Sequence, residues 1–361
     1  MNRLRSDYQT LFREDTPLLD LRSPGEFARG AFLTASNLPL MSDEERALVG
    51  TCYKQRGQQA AIELGHELVS GPVREQRMQG WLDWCRQHPD GVIYCFRGGL
   101  RSITVAGWLA DCGQPMPRVQ GGYKALRRFL IEDFEQRIGE TRVWLLSGRT
   151  GSAKTRVIET LDTSIDLEGL AHHRGSAFGR RPGGQPTQID FENRLAINLL
   201  KHPVGKPLLL EDESKLIGRC FLPQPLQDRM ADAPRIIIEE PLESRVQITL
   251  EDYVLGPLAE YRQHYPQEQA AEQLGEDLIA AMDRIRKRLG GARHQQLRSQ
   301  LQAALARQSE YADSQAHCAW IRPLLSDYYD PMYDHHAQRR EGEVLFRGSR
   351  DEVMEWLLAV G

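Results

Sequence analysis

The sequence predicts an α/β protein: two parallel-sheet units in series, followed by a mostly helical C-terminal region. Three observations predict it. Short apolar runs alternate with helical stretches over about the first 135 residues, and again from about Arg142 to Glu240. Each of these stretches contains an apolar run that ends in a glycine-rich loop opening a helix, "VIYCFRGGLRS" at 92–102 and "TRVWLLSGRTGSAKT" at 141–155. The chain has 361 residues, more than one ordinary core accommodates. The divisions expected are 12–135, 140–245 and 246–361.

The elements follow in order. "TPLLDLRSPGEF" (16–27) reads as a buried strand ending at Asp20, then a turn at Ser23-Pro24-Gly25. "EQRMQGWLDWCRQHP" has helical periodicity, with Met78, Trp81, Leu82 and Cys85 on one side. "GVIYC" is the next buried strand, and "RSITVAGWLADCG" is a helix that stops at Gly113. "RVQGGYKALRRFLIEDFEQR" supplies a strand, a glycine turn and a helix that carries the boundary between the units. "TRVWLLSG", "SIDLEG", "KPLLLEDE" and "PRIIIEEP" are the strands of the second unit. From Val246 the chain is charged and helical, as in "EDLIAAMDRIRKRLGG" and "RHQQLRSQLQAALARQ".

Composition narrows the function classes. The chain is 40% hydrophobic and 27% charged, with no window near the roughly 18 apolar residues of a membrane span. Its first residues lack the apolar core of a secretory signal. The six cysteines are scattered without a CxxC pair, so neither a zinc site nor a disulfide framework is indicated. A cytoplasmic protein with reduced thiols and no membrane partner is expected. The net charge of -4 gives no global attraction to nucleic acid, so any RNA site must be a local basic patch.

Two loops carry chemistry. Cys95 ends a strand and faces a helix start, where backbone N–H groups favour a thiolate and a bound anion. Gly98 and Gly99 let the loop curl, and Arg97 and Arg101 add donors for a tetrahedral anion. A lone strand-end cysteine is ordinarily a core residue. The paired glycines and arginines favour a nucleophilic sulfur in an oxyanion cradle. In the second loop, Gly148, Thr150, Gly151, Ser152, Lys154 and Thr155 form a phosphate-loop pattern between a strand and a helix. Ala153 stands where that pattern usually has glycine. Glu211, Asp212 and Glu213 end a neighbouring strand as a candidate Mg²⁺ partner or as a solvated strand end.

Residues 166–193 combine His172, His173, Arg174, Arg180 and Arg181 with many glycines and prolines. They suggest a substrate loop or a plain surface loop. Adjacent histidines lack metal-ligand spacing, so no zinc site is read there. Arg284, Arg286, Lys287, Arg288, Arg293 and Arg298 form a basic run without an acid, a candidate tRNA contact or a solvated helix face. Tyr328, Tyr329 and Tyr333 fit base stacking or helix packing equally well.

"LLDLRSPGEFARGAFLTASNLP" (18–39) together with the Cys95 loop resembles the rhodanese family, in which a loop cysteine carries sulfur or selenium. The loop departs from the common pattern. Five residues, not four, separate Cys95 from Arg101, as in cysteine phosphatases, and a longer loop suits a larger, phosphate-type anion. With "DLEGLAHHRGSAFG", "QPTQIDFEN" and "LEDESKLIGRCFLP" added, nearly the whole chain resembles the tRNA 2-selenouridine synthase family. That resemblance implies action on wobble 2-thiouridine in the anticodons of tRNAs for Lys, Glu and Gln. The sulfur is first alkylated by geranyl diphosphate, and the S-geranyl group is then displaced by selenium from selenophosphate. It implies Cys95 as a selenium-carrying nucleophile (an S-selanyl cysteine), with Arg97 and Arg101 holding the oxyanion. A selenophosphate synthetase would supply the donor, and no tightly bound cofactor is expected. Lys154 and its loop would hold the geranyl donor's diphosphate. Two other classes stay open: a cysteine phosphatase fused to a kinase, revealed by aryl phosphate hydrolysis, and a sulfurtransferase relaying sulfur to a partner protein, marked by weak, salt-insensitive tRNA binding.

Overall fold

The computed structural model describes residues 3–337 and 342–360. Two compact units emerge, one formed by Met1–Arg137 with Thr187–Lys201, the other by Ile138–Pro186 with His202–Gly361. No helix among the described residues is long and apolar enough to cross a membrane. The expected α/β class with parallel sheets holds. The divisions do not fall where the sequence suggests. Residues 246–361 are continuous with the phosphate-loop unit, and 187–201 join the first unit.

The first unit has five strands: β1 (Leu4–Arg5), β2 (Leu18–Asp20), β3 (Ala35–Asn37), β4 (Val92–Tyr94) and β5 (Arg118–Val119). They pair in the order β1-β5-β4-β2-β3, all parallel. β2 and β4 are buried at every residue, so their apolar runs show no alternation. The end of β2 is fixed by a buried polar network. The Arg22 guanidinium donates to both Asp20 carboxylate oxygens, with its two contacts to Oδ2 at 2.8 and 2.7 Å, and Tyr94 Oη donates to the same oxygen at 2.6 Å. Arg22 also donates to the Gly30 carbonyl and lies 3.7 Å over the Tyr123 ring.

Between β3 and β4 run the helices Asp43–Leu68 and Gly71–Gln87. The first begins with a full capping box, in which the Ser42 hydroxyl accepts from Glu45 N and the Glu45 carboxylate accepts from Ser42 N. It breaks at Gly57, whose φ of 85° only glycine adopts readily. The helix Gln188–Lys201 packs on this unit through polar contacts. Asp190 accepts from Ala31 N at 2.7 Å, Asn193 donates to the Ala31 carbonyl at 2.8 Å, and Arg127 pairs with Glu192.

The second unit contains β6 (Val143–Gly148), β7 (Ser164–Ile165), β8 (Leu208–Glu211), the short antiparallel pair β9 (Leu216–Ile217) and β10 (Cys220–Phe221), β11 (Arg235–Ile238) and β12 (Val344–Gly348). The main sheet is parallel in the order β12-β11-β6-β8-β7. The expected strands at 143–148, 164–165, 208–211 and 235–238 are present. β12 is an addition, since the C-terminal region returns to lengthen the sheet. The other described residues of that region are mostly helical, as expected. Its core gathers Val246, Leu250, Leu278, Met282, Leu297, Leu301, Trp320 and Leu324.

Candidate active sites

In each main sheet the third of five strands carries the loop of interest at its C-terminal end, where parallel sheets open their ligand crevices. After β4, Cys95 is buried at 3% exposure, with its Sγ 3.4 Å from Ser102 Oγ and 3.9 Å from the Gly99 carbonyl. The loop's carbonyls are tied outward. The Cys95 carbonyl accepts from Tyr123 N at 2.9 Å, that of Phe96 from Lys124 N at 3.0 Å, and that of Gly98 from Arg118 at 3.3 Å. The Gly99 carbonyl accepts from Ser102 and Ile103. Among the described residues, no N–H of Phe96, Arg97, Gly98 or Gly99 donates to a protein acceptor. A loop with its carbonyls engaged and its N–H groups without acceptors suits an anion.

The bracing demands glycine. A Cβ at Gly122 would lie 2.1 Å from the Cys95 carbonyl oxygen, and Gly98, at φ 66°, sits against Gly121 and Val119. "QGGY" is therefore the brace of the thiol loop, a role the sequence did not reveal.

Arg97 is exposed at the loop and lines the cleft beside Cys95. Arg101 lines it too, but its guanidinium donates to Glu26 at 2.6 Å. Burial would raise Glu26, yet its bond to Arg101 and the neighbouring Arg46 hold the carboxyl down to about 2. Arg101 is thus positioned by a carboxylate, and an incoming anion must share it with Glu26. Glu26 closes a capping box with Ser23, a pattern that signals a helix start and not a partner for Arg101, so sequence reasoning missed that second role.

The cleft is open, about 1360 Å³, with a predominantly apolar lining. Leu40, Met41, Val49, Ile62, Val69 and Trp108 contribute to its walls.

After β6, the phosphate loop lines a second, more polar cavity of about 450 Å³. Gly148 must be glycine, because a Cβ there would approach Ser152 Oγ at 2.5 Å. Gly151, at φ 80°, packs against Thr249 and Arg245 in the same way. Ala153 adopts φ 58°, the left-handed conformation that explains why glycine usually stands there. Lys154 Nζ donates to the Gly148 carbonyl at 3.0 Å. Among the described residues, the N–H groups of Arg149, Thr150, Gly151 and Ala153 donate to no protein acceptor. The buried hydroxyls of Ser152 and Thr249, both lining this cavity, have no hydrogen-bond partner either. Buried hydroxyls are ordinarily satisfied, and these two remain available to a ligand in the cavity.

The three candidate acids do not assemble. Glu211 is fully buried, accepts from Leu167 N at 3.0 Å and is pushed well above the carboxylate range by burial. Asp212 accepts from Ser147. Only Glu213 lines the cavity, beside Asp166, Glu168 and Asp252. Burial first, and then the Glu213 charge, push Glu168 up to about 8, so the pair holds a proton. Among the described residues no group of three or more His, Cys, Asp or Glu is placed to hold a metal. Of the three, Glu213 is thus the one that reaches the cavity lined by the loop.

Residues 166–193 are more ordered than expected, with helices at Leu167–Leu170 and from Gln188. Arg174 and Arg181 line the phosphate cavity, both near Glu260. His172 bonds the Gly184 carbonyl at 2.7 Å, and Arg180 is exposed. His173 is buried, and burial with the Arg180 and Arg284 charges lowers it to about 4, so it is neutral. The basic run divides. Arg288 lines the phosphate cavity, while Arg286 and Lys287 are exposed without ion-pair partners among the described residues. Arg284 bonds the Ala177 carbonyl, Arg293 the Asp327 carbonyl, and Arg298 pairs with Asp283. Tyr328 and Tyr329 are buried in the helical core, which takes the packing side of their two readings.

The comparisons with known proteins agree with one another. Residues 141–360 match the family described as the tRNA 2-selenouridine synthase AAA domain. The tRNA 2-selenouridine synthase of Alcanivorax borkumensis is 60% identical over 353 residues, covering 97% of this chain and 98% of that protein. Those of Marinobacter nauticus and Hahella chejuensis are 51% and 53% identical, again over 97% of this chain and over 96% and 93% of theirs.

Proposed function

The chain belongs to the tRNA 2-selenouridine synthase family, and from that premise we propose how this tRNA-modifying enzyme divides its chemistry between two loops. Its overall reaction is the conversion of a tRNA uridine derivative to 2-selenouridine. The finer reading is a two-step route at wobble 2-thiouridine of tRNAs for Lys, Glu and Gln. In the first step the thiouridine sulfur attacks geranyl diphosphate. A C–S bond forms, the C–O bond breaks and diphosphate leaves. In the second step selenium from selenophosphate replaces the alkylated sulfur at C2. A C–Se bond forms, the C–S bond breaks with loss of geranylthiol, and water then cleaves the Se–P bond to release phosphate.

The phosphate loop is assigned the diphosphate of the geranyl donor, with Lys154 as its point charge and Ser152 and Thr249 as added donors. We read the first unit as rhodanese-like and assign its Cys95 loop the selenophosphate donor. The N–H groups of residues 96–99 would hold the donor's phosphate oxygens with Arg97 and Arg101. A selenophosphate synthetase is the implied supplier, and a cytoplasmic setting fits the reduced thiols. The observation that carries this reading is the coexistence of two separate anion cradles in one chain. One holds a buried thiol, and the other holds hydroxyls that lack partners.

The test is mass spectrometry of the wobble nucleoside after incubation with 2-thiouridine tRNA, geranyl diphosphate and selenophosphate. Wild type yields 2-selenouridine, Cys95→Ala accumulates the S-geranyl nucleoside, and Lys154→Ala leaves 2-thiouridine unchanged. Intact geranylation in folded Lys154→Ala would overturn the assignment of the diphosphate. Unaltered nucleoside with active wild type would overturn the two-step reading.

A further inference from the structure

We infer that the open apolar cleft beside Cys95 receives the geranyl chain of the S-geranyl-2-thiouridine intermediate while its sulfur is displaced. The inference rests on the two-step reading above and gives the hydrophobic portion of that substrate a place in the first unit.

The cleft is built by a chain reversal. In a straight helix the sixteen steps from Val49 to Gly65 would span about 24 Å. Here a Cβ on Gly65 would lie 3.9 Å from Val49 Cγ2. The segment Asp43–Leu68 therefore folds back at Gly57, and both arms face the cleft, through Val49 and Gly50 on one and Ala61 and Ile62 on the other. Trp108 and Val69 add apolar wall.

An anion the size of selenophosphate has no use for about 1360 Å³ of mostly apolar space. The same cleft carries cations. Arg29, Lys54 and Arg97 line it, and none has an ion-pair partner among the described residues. Its ligand must therefore be apolar at one end and anionic at the other. It must also place a reacting atom at the thiol. A prenyl thioether on an RNA backbone has that constitution. The phosphate-loop cavity, smaller and more polar, is assigned the donor's diphosphate in the first step.

The experiment is equilibrium binding of two anticodon stem-loops to the full-length protein, one with S-geranyl-2-thiouridine and one with S-methyl-2-thiouridine. Wild type is expected to prefer the geranyl RNA at least tenfold. Ala61→Phe, which fills the cleft, should erase that preference and leave S-methyl affinity unchanged. Gly50→Phe is the fold-safe second variant, since a Cβ there meets nothing within 4 Å, and it should act likewise. Retention of the preference in both folded variants would overturn the inference. So would its loss in Ala177→Phe, which instead fills the phosphate-loop cavity. Absence of preference in a wild type that still makes 2-selenouridine defeats the cleft alone. Failure of wild type to make 2-selenouridine defeats the reading beneath it.

Discussion

The two α/β units end their middle strands alike and differ in what surrounds the loop. After β4 and after β6 the chain curls on glycines with positive φ and leaves consecutive N–H groups without protein acceptors among the described residues. Around the first loop stand a thiol, a carboxylate-braced arginine and apolar helix arms. Around the second stand carboxylates, arginines and two hydroxyls without partners. The lesson is that similar backbone geometry suits both loops to an anion, while the side chains around each give them different surroundings.

The comparison breaks most visibly if the first loop loses its foundation. Asp20 and Arg22 are both almost wholly buried, at 0% and 2% exposure, and removing one leaves the other charge unpaired. Asp20→Ala should cost roughly 3–5 kcal/mol. Urea melts should show the first unit unfolding earlier, while binding of inorganic diphosphate by the second persists. A loss under about 1 kcal/mol would mean that the network is not what fixes β2.

A second effect distinguishes the loops by pH. Glu168 is raised to about 8, so its contribution to stability is complete below its ordinary value of 4.5 and is lost as pH rises through 8. Its ionisation adds negative charge beside the phosphate loop. Diphosphate affinity measured by calorimetry should fall severalfold between pH 7 and about 9 in wild type and stay level in Glu168→Gln. Equal slopes in the two proteins would remove Glu168 from the site's electrostatics.

Glu26 behaves in the opposite sense. Its folded value is depressed from 4.5 to about 2, so its contribution is present above 4.5 and is lost as pH falls through 2. The shift corresponds to roughly 2–3 kcal/mol, allowing for partial solvent screening. Glu26→Gln should flatten the acid side of the stability profile of the first unit, and it should leave Arg101 unanchored. The smallest effect is at Ala153. Left-handed geometry costs a non-glycine residue roughly 1–2 kcal/mol, and glycine's greater unfolded freedom offsets some of that. Ala153→Gly should stabilise the second unit by about 0.5–1 kcal/mol in urea melts, and a destabilisation would contradict the backbone geometry assigned to the loop.

Much of this was legible because it is local. β2 ending at Asp20, β4 before Cys95 and β6 before the phosphate loop are uninterrupted apolar runs followed by turn residues, and such runs are read without knowing their neighbours. β12 was not legible, since "VLFRG" lies more than a hundred residues from its partner β11 and earns its place only by completing a sheet edge. The fold-back at Gly57 was missed because glycine amid polar helix formers gives little periodic signal. At the sites, Cys95, Lys154 and the loop glycines announce themselves by spacing. Glu26, Glu168 and Thr249 act through contacts that close only in three dimensions. Which of the acids at 211–213 reaches the cavity was not legible, because the strand ends at Glu211 and the turn beyond it decides where Glu213 goes.

The helix Gln188–Lys201 belongs to the first unit, yet the chain on either side of it belongs to the second. During synthesis, therefore, the first unit is not finished when Arg137 leaves the ribosome. Until residue 193 emerges, the backbone of Ala31 lacks the partners that Asp190 and Asn193 provide. By then the phosphate loop has already been made. A fragment cut at the apparent boundary would carry the thiol loop with one side of its unit uncovered. The chain thus crosses between the units three times, and a gene fission after Arg137 would strand the last piece of the first unit inside the second product.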